Sequence, residues 1–201
     1  TPFTAIIGTD EFDQFMDTNR LWEVVSREKN FTALQKQFLA GTISDELEHK
    51  LSVFIRLNTK PLAVRSSSLF EDSLSQPFSG IFGTYLLPNN HPDPEVRLIQ
   101  LIGAIKLVFS SIYSDNSRIY FEAVNYKVEQ EKMAVVIQSV VGHRYGDIFY
   151  PHISGTAQSF NFYPVANMTP HDGFAVAAVG LGQYVLDGER AFRFSPAYPA
   201  L

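Results

Sequence analysis

The stretch LAVRSSSLFEDSLSQPFSG, residues 62–80, carries more hydrogen-bonding capacity than a packed core can use. An apolar run from Leu62 to Val64 meets Arg65, then Ser66, Ser67 and Ser68, the acidic pair Glu71 and Asp72, and finally Gly80. A guanidinium is charged at every physiological pH and presents a planar fork of donors that matches phosphate oxygens, so an arginine ending a strand can grip a polyphosphate. Hydroxyls and main-chain amides at a bend of the chain form an anion-binding concavity. The same residues also allow a surface arginine paired with Glu71 or Asp72, an ordinary serine loop, and a tight turn at Gly80.

Further along, Gln138 interrupts the apolar run MAVVIQSVV. An amide left unpaired inside a sheet costs about 1–3 kcal/mol, so Gln138 needs a partner, either a ligand or a neighbouring loop. Two glycine segments follow. GHRYGDIFYPHISGTAQSFN places Gly155 between Ser154 and Thr156, with Arg144 nearby, and VGLGQYVLDG places Gly180 and Gly182 before Gln183. The five histidines fall in no metal-spaced pair and receive no catalytic role, and no Ser-His-Asp elbow is present.

The elements that would position these residues are readable from periodicity. Thr9, followed by Asp10 and Glu11, reads as the N-cap of a helix carrying Phe12, Phe15 and Met16. Gly41 closes a helix containing Leu34, Phe38 and Leu39, and Ser44 caps another whose Leu47, Leu51, Phe54 and Ile55 share a face. GIFGTYLLPN reads as a strand and turn. The clearest helix begins at Asp93 and Pro94 and carries the stripe Leu98, Leu101, Ile102, Ile105, Val108, Phe109 and Ile112, with a further helix around residues 118–126. MAVVIQSVV and FAVAAVGLG read as buried strands covered on both faces, and TAQSFNFYP as a half-solvated one. Helices first and strands later give an α+β lobe with a mixed or antiparallel sheet: residues 1–60 helical, 61–201 sheet-containing.

Composition narrows the classes. With 201 residues, 45% of them apolar, the chain can bury a substantial core. A formal charge of -5 leaves no basic footprint for nucleic acid, no segment reads as membrane-spanning, and the absence of cysteine fits a cytoplasmic location. The ends, Thr1 and FSPAYPAL, suggest a piece of a longer protein.

The ordered motifs VRSSSLFEDSLSQPFSG, VFSSIYSDNSRIYF, AVVIQSVV, ISGTAQSFN and VGLGQYVLDG resemble, over nearly the whole chain, the nucleotide-binding domain of the phosphoenolpyruvate synthase and pyruvate phosphate dikinase family. The resemblance implies an ATP-grasp-like lobe holding Mg-ATP, which donates phosphoryl groups to a histidine on a separate phosphohistidine domain and thence to pyruvate on a pyruvate/PEP-binding domain. Arg65, Ser66 and Ser67 would then bind phosphates, Glu71 and Asp72 would orient Arg65 and its loop, and Gly80 would admit close backbone approach. Gln138 and the backbone around Val140 would face adenine, and Gly155, Gly180 and Gly182 would lie over the triphosphate. Gln183 departs from the family's glutamate, bringing an amide where a carboxylate's charge is expected. The resemblance further implies that the Mg2+ ligands lie outside this chain, that the isolated piece binds nucleotide weakly without turnover, and that the full-length protein is dimeric through other domains. Alternatives are a dikinase with a glucan or antibiotic acceptor, or a degenerate regulatory module.

Overall fold

A computed structural model describes residues 2–68, 82–128, 131–182, 185 and 191–199. The described chain is α+β and divides into two compact units, Thr1–Val140 and Val141–Leu201.

In the first unit, apolar residues at helical spacing build one core. The helices α1 (Thr9–Thr18), α2 (Leu21–Arg27), α3 (Phe31–Ala40), α4 (Asp45–Leu57), α5 (Pro94–Ser110) and α6 (Asp115–Ala123) bury Phe12, Phe15, Phe38, Leu101, Ile105, Phe109 and Phe121. Aromatic edges and faces interlock within it: Phe109 lies 5.2 Å from Phe12 and 5.5 Å from Phe15, both in the tilted arrangements that ring quadrupoles favour. The expected caps at Ser44 and Asp93 are present, their side chains accepting from the amides of Leu47 and Glu95. The expected cap at Thr9 is displaced: Gly8 holds that position without a side-chain bond, and Thr9 is already helical.

By length and hydropathy alone, Pro94–Ala123 would cross a bilayer, which corrects the reading that no segment is apolar enough. Its apolar stripe is core, since 61% of the window is buried inside the protein.

Against these helices lies a four-stranded sheet of β1 (Thr4–Ile7), β2 (Leu62–Ser68), β3 (Thr84–Leu87) and β4 (Met133–Ser139), in the order β1-β4-β2-β3. Every pairing between described strands is antiparallel. Burial alternates along β2 and β4: Leu62, Val64, Ser66 and Ser68, like Met133, Val135, Ile137 and Ser139, are buried. Helices α1 and α5 pack on β4, and α5 also on β2. The expectation that β4 is buried on both faces is therefore corrected, because Ala134, Val136 and Gln138 are only partly covered within this unit. The strand β1 went unread, being four residues with no clear alternation.

The second unit holds a hairpin of β5 (His143–Tyr145) and β6 (Ile148–Tyr150), and a sheet of β7 (Ile153–Gln158), β8 (Phe174–Val179) and β9 (Phe192–Phe194) in that order. In β8 only Ala178 is buried, so this strand too is less covered than its apolar composition suggests.

Candidate functional site

Pleating sorts the opening motif onto two sides. Because successive side chains of a strand point to opposite faces, Ser66 and Ser68 turn inward while Arg65 and Ser67 turn away from the helices. This corrects the expected bend: all three serines continue β2, opposite Val135, Ala134 and Met133, and their main chain belongs to the sheet. A strand with one face against a helical layer accepts a serine at an inward position when its hydroxyl finds a partner there.

Registers reconstruct the outward face around Arg65. It lies between Thr84 on β3 and Val136 on β4, with Ile6 of β1 beyond Val136. The neighbouring row runs Leu86, Ala63, Gln138, Thr4, and Ser67 lies beside Ala134. Ile6 and Leu86 are 71% and 56% exposed, so the cation sits in an open, largely apolar surround. Arg65 is itself exposed and makes no hydrogen bond or ion pair to a described residue. Its donor fork is thus available to an anion from outside.

Gln138 has found its partner on the same face, where its Nε2 donates to Thr4 Oγ1 at 3.0 Å. Beyond it the main chain is also committed: the amide of Ser139 donates to the Phe3 carbonyl at 2.9 Å, and that of Val140 to the Pro61 carbonyl at 2.8 Å. A buried polar network supports this end of β4. Asn58 donates to Ser139 Oγ at 2.7 Å, Asn89 donates to the carbonyls of Asn58 and Lys60, and Arg97 donates to the carbonyls of Ile55 and Asn58. Sequence reasoning missed Arg97, although it shares the i, i+4, i+8 row of Leu101 and Ile105, and an arginine on a buried row demands acceptors.

In the second unit, Gly155 lies in the middle of β7 opposite Ala177, not in an open loop. A Cβ there would come within 2.6 Å of the Val176 carbonyl oxygen, so close strand approach explains this glycine. Gly180 has φ +89° and no neighbour that a Cβ would meet. Ser154 Oγ donates to the Gly180 carbonyl at 2.7 Å, and Gly182 approaches Ser154 Cβ, so Ser154, Gly180 and Gly182 form one local group. Arg144 is held by its own hairpin, donating through Nε to the Gly146 carbonyl at 2.8 Å.

Glu71, Asp72, Gly80 and Gln183 lie outside the described residues. Among the described residues no three His, Asp or Glu side chains gather as a metal would require. A concavity does occur among the helices, lined by Leu39, Ile43, Ile99, Ile102, Gly103 and Lys106, none of them a candidate site residue.

The match to known families decides the context of this site. Residues 1–196 match the family model described as pyruvate phosphate dikinase, AMP/ATP-binding domain. The chain belongs to this family. Its α+β architecture accords with membership in the dikinase AMP/ATP-binding domains. The chain is also similar to an uncharacterized phosphotransferase, YvkC, of Bacillus subtilis (strain 168), with 26% identity over 193 residues. That alignment covers 93% of the chain and 20% of the relative, so the dikinase-type domain described here spans about a fifth of the curated relative it matches.

Proposed function

We propose that this AMP/ATP-binding domain holds Mg-ATP for a phosphoenolpyruvate synthase-like dikinase, presenting the phosphates to a histidine on a separate domain from which pyruvate is then phosphorylated. The observation that carries the reading is Arg65: a cation without a protein counter-charge among the described residues, fixed at the middle of an open sheet face in a chain of this family. Phosphoryl transfer relies on positioned charge more than on covalent chemistry by the protein, and a bidentate guanidinium supplies it at fixed geometry. Ser67 adds a hydroxyl on the same side. Gln138 and the chain around Val140 border this face and serve the adenine end. The described residues offer no carboxylate cluster for magnesium, so no step is assigned to the metal here.

Calorimetric titration of ATP into the 201-residue chain and its Arg65→Ala variant tests the assignment. Removing a charge-assisted bidentate contact should weaken binding by about 1.5–3 kcal/mol, roughly ten- to hundredfold in Kd. Equal affinities remove Arg65 from the site. The acceptor is tested on the full-length protein by pyruvate-dependent formation of phosphoenolpyruvate with release of AMP. Phosphorylation of a glucan or an antibiotic in its place would move the protein to another dikinase class, and failure to phosphorylate any of these acceptors would favour a regulatory module.

A further inference from the structure

The β5–β6 hairpin collects four rings on one side. Register places His143 opposite Tyr150 and Tyr145 opposite Ile148, and alternation brings His152, two residues past Tyr150, toward the same side. Tyr145 stacks on Tyr150 with centroids 4.7 Å apart and planes at 29°. The imidazoles of His143 and His152 lie 5.5 Å apart, and the Tyr145 hydroxyl is hydrogen-bonded to Nε2 of His152. His143, Tyr145 and His152 are all exposed, so core packing does not account for their convergence.

The spacing fits a shared ion. Two imidazoles bound to one tetrahedral metal at the usual metal-nitrogen distance place their ring centroids about 5 Å apart. The hydrogen-bonded phenol resembles the outer partner that fixes the tautomer of a ligating histidine. We propose that His143 and His152 bind a divalent transition-metal cation of the zinc or copper type, each through one nitrogen. Tyr145 accepts the Nε2 proton of His152, which leaves Nδ1 for the metal, and water completes the coordination. Magnesium, which demands oxygen ligands, is not served by this pair. The charged groups of the hairpin, Arg144 and Asp147, lie 3.8 Å from each other, and Arg144 alternates to the opposite side, opposite Phe149. Tyr145, edge-on to His152, and Tyr150, stacked on Tyr145 and opposite His143 in register, are the other titratable groups on this side of the hairpin.

The test is calorimetric titration of Zn2+ into the nucleotide-free chain at pH 7.5, alongside His143→Ala, His152→Ala, Tyr145→Phe and the control His91→Ala. Two exposed imidazoles should give micromolar binding that either histidine variant weakens at least tenfold, Tyr145→Phe weakens severalfold, and His91→Ala leaves unchanged. Excess Mg2+ should not compete, since it demands oxygen ligands. All three histidine variants alter exposed side chains, so retained melting temperatures would show the fold intact. Absence of Zn2+ binding, or binding indifferent to both His143→Ala and His152→Ala, overturns the proposal. An unchanged Tyr145→Phe overturns the positioning role of the phenol.

Discussion

Arg65 and Ser66 are neighbours in the chain and strangers in space, since the pleat of β2 sends one outward and the other into the helical layer. Their substitutions should therefore report different things. Ser67→Ala, on the outward side, should leave stability within about 0.5 kcal/mol while weakening ATP binding, as compared by thermal unfolding and calorimetry of one sample. Gly155→Ala should do the reverse of a neutral change: its new methyl meets the Val176 carbonyl oxygen at 2.6 Å, a backbone atom that cannot swing aside. A loss of about 1–3 kcal/mol in unfolding free energy is expected there. The types of these residues were legible in the sequence, but their sidedness was not. Three consecutive serines carry no hydrophobic alternation to set a phase, and only the pairing with β4 fixed it.

At the scale of elements, the long helices were the most legible parts. Ser44 and Asp93 announce α4 and α5 by side chains that cap the first turn, and the stripes behind them are the buried faces. Ser44→Ala should lower stability by about 1 kcal/mol in urea denaturation. The polar network at the end of β4 was invisible, because Asn58, Asn89, Arg97 and Ser139 are scattered along the chain and meet only after folding. Asn58→Ala deletes the donor to Ser139 Oγ and exposes the carbonyl partners of Asn89 and Arg97 to rearrangement. About 1–3 kcal/mol should be lost in urea denaturation. The apolar strands β4 and β8 misled for a related reason: composition shows that a strand can be buried but not how many layers cover it.

For the whole molecule, the titrating groups set an alkaline limit. Burial pushes the Tyr85 and Tyr126 phenols up, the latter helped by the neighbouring Glu131 carboxylate, and the hydrogen bond to Asp13 raises Lys132. Each holds its proton more tightly when folded, so its contribution is complete below the unfolded value of about 10 and declines as pH climbs through the folded one. Lys106, lowered by burial, has the opposite slope. With Lys50, raised by its hydrogen bond to Glu46, four raised groups stand against one lowered group among the described residues, which predicts a melting temperature that falls from about pH 10 upward, with a shallower fall in Tyr126→Phe; a flat profile to pH 12 would contradict the balance.

The sheet order has a consequence for how the chain is made. Among the described strands β1 has one partner, β4, and the bond from Gln138 to Thr4 spans 134 positions. At a translation rate of 5–20 residues per second, the first strand emerges roughly 7–27 s before the strand that will hold it. Ile6 and Ile7 stay unpaired throughout that interval, within reach of nascent-chain chaperones, and the first sheet closes only after its central strand has left the ribosome.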